Sequence, residues 1–286
     1  MDQRARPYRS ALYIPASKER ALEKARGLPA DAILFDLEDA VAPDAKAQAR
    51  TLLRQVLAQA DYGPRARIVR INGLETAWGR DDAAALSGLA PDGVLLPKVD
   101  GPDQVAALAE LIPDVPIWAM METPRGVLNA ARIAAHPRMA GMVMGTNDLA
   151  KELGCRPGAD RAALQTALQT CLLAARAHGL IAIDGVFNAF KDAEGLEAEC
   201  LQGRNMGFDG KTLIHPAQLE TANAVFAPDA DAITLAQRQI AAFEAAQAAG
   251  EGVAVLDGQI VENLHVETAR RTLARADAIA QLEAAS

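Results

Sequence analysis

Residues 116–126, PIWAMMETPRG, contain an apolar run that stops at an acid. The run from Ile117 to Met121 has the length of a buried strand, and Pro124 prevents its continuation. Glu122 therefore stands at the carboxyl end of the predicted strand. An acid in that place is either a cap or an ion-pair partner, or it is a ligand at a functional site.

Short apolar or β-branched runs of the same kind recur along the chain and predict eight strands in all. The other seven are SALYIPA from Ser10, DAILFDLED from Asp31, RARIVRING from Arg65, GVLLPKV from Gly93, GMVMGTNDL from Gly141, IAIDGVF from Ile181 and GFDGKTLIHP from Gly207. The segments between them are mostly Ala-rich, with the apolar spacing of helices. Strands without polar alternation that alternate with helices predict parallel pairing through crossover helices.

Eight such units over about 215 residues predict an α/β fold of the (β/α)8 TIM barrel type. An open doubly wound sheet is less favoured, because no Gly-x-Gly-x-x-Gly motif follows the first strand. After residue 225 the pattern changes to a helix, an extended pair with a turn at Asp257-Gly258, and a last helix. We predict a barrel over residues 1–225 and, over residues 226–286, a C-terminal helical and hairpin extension that packs on the barrel or on a neighbouring subunit.

The composition limits the class of partner. The chain has 286 residues, 50% of them hydrophobic, and its 29 basic and 37 acidic residues give a net charge of −8. This balance argues against nucleic acid or an anionic membrane surface as the main partner. No membrane span or secretion signal is recognisable, so we expect a cytoplasmic protein. Three widely spaced cysteines, Cys155, Cys171 and Cys200, predict reduced thiols.

Barrel enzymes carry their chemistry at the carboxyl ends of the strands, and the predicted ends are rich in ionic side chains. These are Glu38, Asp39, Arg70, Asn72, Lys98, Glu122, Asn147, Asp148, Asp184, Lys211 and His215. Converging carboxylates repel each other unless a cation lies among them. Oxygen ligands without a Cys or His pair favour a hard ion, Mg²⁺, with Mn²⁺ as a possible substitute.

Each of these residues also has a purely structural interpretation. Asp148 could cap the helix LAKELG, and Asp39 could cap the helix after AVAP. A ligand role is favoured for Glu122 and Asp148 because they close adjacent strands, which lie about 4.8 Å apart. Arg70 could grip a substrate carboxylate with both nitrogens or could form an ion pair with Glu38 or Asp39.

Seven stretches together resemble the citrate lyase β-subunit-like family of CoA-ester lyases, within the metal-dependent barrel aldolases. They are SALYIPAS, AILFDLEDAVAPDAKAQAR, VRINGLETAWGRDD, GVLLPKV, MMETPRGVLNA, MGTNDLAKELG and GFDGKTLIHPAQL. The resemblance extends in order over residues 8 to 275. It implies a (β/α)8 barrel with a C-terminal lid, in a homotrimer whose lids are exchanged between subunits.

The resemblance also implies roles for individual residues. Mg²⁺ is expected on Glu122 and Asp148, and catalytic roles are expected for Arg70, Glu38 and Asp39. The substrate is expected to contact Arg70, Glu122, Thr146, Asn147 and Asp148. The CoA-binding residues implied in this way are Ser17, Lys18, Arg20, Lys211 and His215.

The activity that the resemblance implies is a carbon–carbon lyase that needs Mg²⁺ and no organic cofactor. It would cleave citramalyl-, malyl- or citryl-CoA reversibly to acetyl-CoA or propionyl-CoA and a 2-oxo acid such as pyruvate, glyoxylate or oxaloacetate. One alternative is the citrate lyase β subunit, which acts on an acyl-carrier-protein thioester. Others are condensation with thioester hydrolysis, as in malate or citramalate synthesis, and a paralogue without activity.

The lid segment departs from the family pattern. Similar proteins carry an aspartate there for proton transfer, whereas this chain reads LDGQIVEN with Glu262 in that place. The extra methylene can displace the carboxylate by about 1 Å, enough to cost about 100-fold in rate. Glu262 is accordingly a catalytic candidate whose effect on the reaction must be tested.

Overall fold

The computed structural model describes residues 6–285. These residues form two compact units: Tyr8–Phe226 is one, and residues 6–7 with Ala227–Ala285 are the other. The catalytic role expected for residues 1–225 and the lid and oligomerisation role expected for residues 226–286 stay predictions.

Within residues 6–285, eight parallel strands pair in chain order and close into a barrel. The last strand pairs with the first through Lys211 and Ser10, which lie opposite each other. The strands are β1 (Ser10–Pro15), β2 (Ala32–Asp36), β3 (Ala66–Arg70), β4 (Gly93–Leu96), β5 (Ile117–Met121), β6 (Met139–Met144), β7 (Ile181–Asp184) and β8 (Gly210–Leu213). The predicted (β/α)8 TIM barrel is confirmed.

Helices follow the strands and cover the outside of the barrel. They are α1 (Glu19–Ala25), α2 (Lys46–Gln59), α3 (Gly79–Ala85), α4 (Pro102–Leu111), α5 (Pro124–Leu128), α6 (Ala130–Ala134), α7 (Thr146–Leu153), α8 (Gln165–Ala177), α9 (Ala193–Met206) and α10 (Leu219–Phe226). Thr123 begins α5 by accepting the Gly126 N–H at 3.0 Å. Thr123, the residue after Glu122, is thus the cap of α5, and Glu122 itself has no capping role.

Side-chain alternation divides the buried residues into two layers. Leu34, Ile68 and Trp118 belong to the cluster inside the barrel. Ile33 and Val69, one residue away from the first two, belong to the larger cluster between the strands and the helices. Because successive strand residues face opposite sides, the position of a polar residue along its strand decides which of these layers it enters.

Trp118 fills the interior of the barrel and stands against Tyr8, with 5.2 Å between the ring centroids. The neighbouring strands carry glycines beside it, and a Cβ at Gly93 or Gly141 would overlap the indole ring. A side chain there would overpack the interior at a cost of about 1–3 kcal/mol. The two glycines therefore leave the space that the indole occupies.

The second unit contains α11 (Ala230–Ala248), a hairpin of β9 (Ala254–Leu256) and β10 (Gln259–Val261), and α12 (Asn263–Ala284). The hairpin turn has positive φ at both central residues, 51° at Asp257 and 79° at Gly258, as a type I′ turn requires. Arg238 on α11 fixes the turn through a 2.7 Å ion pair with Asp257. The predicted order of helix, hairpin and helix is thus observed in this unit.

None of the helices within residues 6–285 combines the length and apolar character that a membrane span requires.

Candidate active site

The carboxyl ends of β2, β3 and β5 place three ionic residues inside the barrel. Asp36 and Arg70 are the last residues of β2 and β3 and lie opposite each other in register. Glu122 follows β5 directly. All three are two residues beyond members of the inner cluster, respectively Leu34, Ile68 and Met120, so alternation directs them into the barrel mouth.

Arg70 is held by two carboxylates. Its Nε and Nη2 donate to the two oxygens of Asp36 at 2.8 and 2.6 Å, and its Nη1 lies 2.9 Å from Glu38 Oε2. The guanidinium carbon is 4.8 Å from the centroid of the Tyr13 ring. Burial lowers the pKa of Arg70, but Tyr13, Asp36 and Glu38 more than reverse this effect, and the side chain stays cationic.

The expected ion pair of Arg70 with Glu38 is therefore observed. Asp36 is a further partner of Arg70 that the sequence did not indicate. Asp36 and Tyr13 stand inside apolar runs, where only strand parity signals that they face inward. Arg70 has five N–H donors, and the bonds to Asp36, Glu38 and the weakly accepting Met120 sulfur leave one on Nη2. Because Arg70 also lines the cavity, the ion pair and a substrate contact are compatible.

Glu122 is 1% exposed, and its Oε1 accepts the backbone N–H of Lys98 at 2.7 Å. Burial raises its pKa to about 7; the Lys98 N–H opposes this shift, and the charge of Glu38 adds to it. A Cβ at Gly145 would overlap the Glu122 side chain. Gly145, before α7, thus leaves room for the Glu122 carboxylate. The protein groups around this carboxylate only partly stabilise its anionic form.

Lys98 and Glu38 form the adjoining ion pair, with Nζ 2.5 Å from Glu38 Oε1. Burial raises the pKa of Glu38, while Arg70 and Lys98 oppose the shift. Burial also lowers the pKa of Lys98, but Glu38 outweighs this and raises it to about 12. Asp39 is exposed and its Oδ1 lies 4.0 Å from the same ammonium, beyond hydrogen-bond distance.

Residues at the ends of β2, β3 and β5 and at the start of α7 line a cavity of about 380 Å³. Its polar walls are Asp36, Asp39, Arg70, Glu122, Thr146, Asn147, Asp148 and Asn188. A second cavity of about 310 Å³ is lined by Glu38, Asp39, Lys46, Glu75, Trp78 and Lys98, among others. Asp39 borders both cavities, and the Lys46 ammonium stands 5.1 Å from the Trp78 ring centroid.

The substrate-binding candidates after β6 lie on a helix and not at a strand end. Asp148 is the third residue of α7, half-exposed, and Gly145 occupies the cap position, so the capping alternative for Asp148 is wrong. Thr146 is buried. Asn147 and Asn188 exchange amide hydrogen bonds of 3.2 and 2.8 Å at the cavity wall.

The predicted metal site can be compared with these donors. Within residues 6–285, His, Cys, Asp and Glu side chains form no group of three suited to a metal ion. Glu122 and Asp148 border one cavity and offer carboxylate oxygens, the ligand type and number that Mg²⁺ uses when waters or substrate complete its shell. The raised pKa of Glu122 adds a reason, because a cation beside it would stabilise the anion. The residues fit Mg²⁺.

Of the predicted CoA contacts, Ser17, Lys18 and His215 lie in loops that follow strands, and Arg20 is the second residue of α1. Ser17 and Lys18 lie between β1 and α1, and the side chains of Lys18 and Arg20 are exposed. His215 is exposed, its Nδ1 accepts the Ala217 N–H at 3.1 Å, and its ring stacks on Phe190 at 4.6 Å. Their contact with CoA stays a prediction.

Lys211 does not fit the predicted CoA contact, because it lies on the outer side of the barrel wall and is 0% exposed. Its Nζ is 3.3 Å from Asp184 Oδ2 and 2.5 Å from Glu199 Oε1, and it donates to the Gly185 carbonyl. Arg161 completes this network with a 2.8 Å contact to Asp184. Asp184, also expected at the mouth, is therefore part of a buried structural ion network.

Glu262 belongs to the second unit, where it is exposed and precedes α12. Its backbone N–H donates to His265 Nδ1 at 3.0 Å. Its catalytic role stays a prediction.

A closed (β/α)8 barrel with acidic residues at the carboxyl ends of its strands is typical of barrel enzymes. Comparison with known proteins identifies the family. Residues 9–216 match the family model described as HpcH/HpaI aldolase/citrate lyase. The chain belongs to this family, and the predicted resemblance is confirmed.

Two curated relatives differ in the reaction that their names give. A (3S)-malyl-CoA thioesterase of Cereibacter sphaeroides (strain ATCC 17025 / ATH 2.4.3) is 68% identical over 280 residues, 98% of this chain and 98% of the relative. An L-malyl-CoA/β-methylmalyl-CoA lyase of the same species (strain ATCC 17029 / ATH 2.4.9) is 33% identical and covers 96% of each chain. Carbon–carbon lyase activity is thus not confirmed for this protein.

A solved structure supports the fold over nearly the whole chain. The CitE protein of Mycobacterium tuberculosis, in complex with magnesium, acetoacetate and coenzyme A, has a TM-score of 0.81 and 34% sequence identity. The match covers 96% of this chain and 99% of that one. A relative with this fold and degree of similarity therefore binds magnesium, a short oxo acid and CoA.

Proposed function

We propose that this protein is a Mg²⁺-dependent thioesterase that hydrolyses a short hydroxy-dicarboxylic acyl-CoA of the (3S)-malyl-CoA type. Water adds through its oxygen to the thioester carbonyl carbon, and the carbon–sulfur bond breaks. CoA then leaves as a thiol, and the free carboxylic acid is the second product. The carbon skeleton of the acyl group stays intact.

The observation that carries this proposal is the 68% identity to a (3S)-malyl-CoA thioesterase over 98% of both chains. The cavity suits the same acyl group. One end of a malyl group carries a carboxylate beside a hydroxyl, and the cavity offers a cation, Arg70, near two carboxylates, Glu122 and Asp148, that fit a metal ion. Condensation followed by thioester hydrolysis was one of the alternatives left open by the sequence.

Arg70 would orient the substrate through its carboxylate. Asp36 and Glu38 fix the plane of the guanidinium, so the remaining Nη2 N–H needs no rearrangement when a carboxylate binds. Mg²⁺ held by Glu122 and Asp148 would act as a Lewis acid and as a template for the oxygens of the substrate. Thr146 and Asn147 border the same space and are proposed substrate contacts.

Asp39 is the better placed of the two acidic candidates to take a proton from water. Both oxygens of Glu38 lie within 2.9 Å of a cationic nitrogen, one from Lys98 and one from Arg70. Asp39 is exposed, borders both cavities and keeps its carboxylate 4.0 Å from Lys98. We propose Asp39 as the general base and Glu38 as the residue that fixes Arg70.

The lid stays part of the proposal. A trimer with exchanged lids, as the family resemblance implies, would bring Glu262 of one subunit to the cavity of the next. The replacement of aspartate by glutamate is the sequence difference that we associate with thioester hydrolysis in place of carbon–carbon cleavage. Ser17, Lys18, Arg20 and His215 are the proposed contacts for CoA.

Reversible carbon–carbon cleavage is the second candidate, because the malyl-CoA lyase relative covers 96% of this chain. Its products from malyl-CoA would be acetyl-CoA and glyoxylate. The two reactions therefore differ in whether a free thiol appears, which makes them separable in one assay.

The test is incubation of the purified protein with (3S)-malyl-CoA and Mg²⁺ in water enriched in ¹⁸O. Hydrolysis predicts one free thiol per malate formed and one ¹⁸O atom in the malate carboxylate. Acetyl-CoA and glyoxylate without free thiol would support the lyase instead. Citramalyl-, methylmalyl- and citryl-CoA, and a citryl thioester of an acyl carrier protein, are the comparison substrates, and no turnover of any of them with Mg²⁺ would overturn both candidates.

A further inference from the structure

Lys98 adopts a backbone conformation that its side chain does not favour. Its φ is 49°, in the left-handed region, where a residue with a Cβ is strained and glycine or asparagine is preferred. It stands two residues beyond the end of β4, at the same edge of the barrel as Glu38 and Glu122. Strained residues persist where the surrounding structure determines their conformation, and they concentrate at functional sites.

The neighbouring segment holds this conformation firmly. The Asp100 N–H donates to Gln104 Oε1 at 2.6 Å, and Asn129 Nδ2 donates to the Asp100 carbonyl at 2.8 Å. Gly126 allows a close approach, since a Cβ there would overlap the carbonyl oxygen of Val99. The turn after Lys98 is therefore fixed both by α4 and by α5 with the residue that follows it.

This conformation gives Lys98 two simultaneous contacts. Its backbone N–H donates to Glu122 Oε1 at 2.7 Å, and its ammonium lies 2.5 Å from Glu38 Oε1. The other oxygen of Glu38 contacts Arg70 at 2.9 Å. Lys98 thus connects Glu122, which fits the metal, with Glu38, which fixes Arg70. The left-handed backbone at Lys98 sets the directions of its N–H and of its side chain, so both contacts depend on it.

We propose that Lys98 is a positioning residue that sets the Glu38 carboxylate relative to Glu122, and that its strained backbone is retained for this purpose. The inference rests on the proposed function. It assigns to Lys98 the positioning of other side chains, without direct contact to the substrate. Loss of the ammonium would release Glu38 from one of its two cations and allow Arg70 to shift with it. Loss of the side chain alone would leave the N–H on Glu122 in place.

The test uses substitutions that keep the left-handed backbone. Lys98→Gly and Lys98→Asn retain the N–H and tolerate a positive φ, while Lys98→Arg keeps a cation at the cost of strain. We expect the first two to melt at or above the temperature of the parent protein. Their kcat on (3S)-malyl-CoA should fall roughly 10- to 100-fold, with KM changed less than about threefold, since displaced groups at a preorganised site affect the rate most.

Two measurements separate positioning from a general structural role. Mg²⁺ affinity by titration calorimetry should stay within about threefold in Lys98→Gly, because the N–H on Glu122 remains, and Lys98→Arg should recover most of the lost kcat. Ala90→Gly is the matched control: Ala90 also has a positive φ, 43°, but lies exposed in the loop before β4. It should raise the melting temperature and leave kcat unchanged.

The proposal is overturned if Lys98→Gly keeps the parent kcat, or if kcat and melting temperature fall together in both Lys98→Gly and Lys98→Asn. A crystal structure of Lys98→Gly tests it without any turnover. The Glu38 carboxylate should leave its parent position while Glu122 stays in place. An unmoved Glu38 would contradict positioning, whereas a moved Glu38 in a protein that hydrolyses no CoA ester would overturn only the proposed function.

Discussion

Two buried ionic networks lie at the carboxyl edge of the same barrel, one inside the strands and one outside them. Inside, Arg70 pairs with Asp36 and Glu38, and Glu122 stands nearby. Outside, Lys211 and Arg161 enclose Asp184. Both networks combine carboxylates with cations at hydrogen-bond distance, so residue type alone does not distinguish them.

The difference lies in how completely the negative charges are neutralised. Burial raises the pKa of Asp184, but Lys211 and Arg161 reverse this and hold it below its usual value. Burial raises the pKa of Glu122 to about 7, and the Lys98 N–H together with the charges of Lys98 and Arg70 does not reverse this shift. In the outer network two protein cations compensate the negative charge of Asp184, whereas the inner network leaves a buried acid that a bound cation would stabilise. An incompletely neutralised group beside a cavity is the better indicator of function.

The largest effect is expected from Glu122→Gln. The amide keeps the shape of the side chain and removes a proposed ligand of Mg²⁺, so Mg²⁺-dependent turnover should fall more than roughly 1000-fold, about 4 kcal/mol in the activation free energy. Steady-state kinetics across a Mg²⁺ titration measures this. Glu110→Gln, an exposed change on α4, is the matched control. Retained activity of Glu122→Gln would remove Glu122 from the metal site.

Asp184→Asn should break the outer network and act on stability. It leaves Lys211 and Arg161 buried with Glu199 as their remaining acid, and removal of one partner of a buried pair costs about 3–5 kcal/mol. We expect a loss near 3 kcal/mol, since the amide retains part of the hydrogen bonding. Urea unfolding gives the value, and a loss below about 1 kcal/mol would show that Asp184 is dispensable to the fold.

The two networks should also respond to pH with opposite signs. With EDTA present, Glu122 has a folded pKa of about 7 against an ordinary value of 4.5. Between these values the native state binds more protons than the unfolded state, so stability falls as pH rises, by at most about 3 kcal/mol. Asp184 has a lowered pKa, so its stabilisation is present above 3.8 and is lost as pH falls below that value.

Urea unfolding of Glu122→Gln at a series of pH values isolates the first effect. The advantage of the variant over the parent protein should grow from pH 4.5 to pH 7 and then level off. Saturating Mg²⁺ should stabilise the parent protein and not the variant, since only the former keeps both ligands. A stability difference that does not change with pH would mean that Glu122 ionises normally in the folded chain.

Glu262, an exposed carboxylate outside both networks, should have the smallest effect. Glu262→Ala should lower turnover about tenfold if the lid acid takes part in proton transfer, and Glu262→Asp should preserve or raise it. The ratio of free thiol to acetyl-CoA in the Asp variant reports whether this position selects the reaction. An alanine variant with unchanged rate and products would make the lid acid a bystander.

The sequence predicted the barrel well because its elements depend on local patterns. All eight quoted runs contain the observed strands or most of them, and the Asp257-Gly258 turn was recognisable from its composition. Strand ends were less accurate. Asp148 was expected at the end of a strand and lies inside the first turn of α7.

The details of the site depend on facts that a list of strand ends does not contain. Asp36 was not predicted as the partner of Arg70 because it stands inside an apolar run and not after it. Lys211 was predicted at the mouth, although its position along β8 directs its side chain outward. The alternation of side chains along β2 and β8, followed from the apolar residues, indicates the side of the barrel wall on which Asp36 and Lys211 lie. The left-handed backbone of Lys98 has no such signal, because lysine rarely adopts it.

The two tryptophans of the chain provide a spectroscopic consequence of the packing described above. Trp118 is enclosed between Gly93 and Gly141, whereas Trp78 borders the second cavity beside Lys46. In Trp118→Phe, the emission of the remaining indole would report on events at that cavity, and in Trp78→Phe it would report on the integrity of the barrel interior. Ligand binding and unfolding could then be followed by intrinsic fluorescence at two separate places in one molecule, without an added dye.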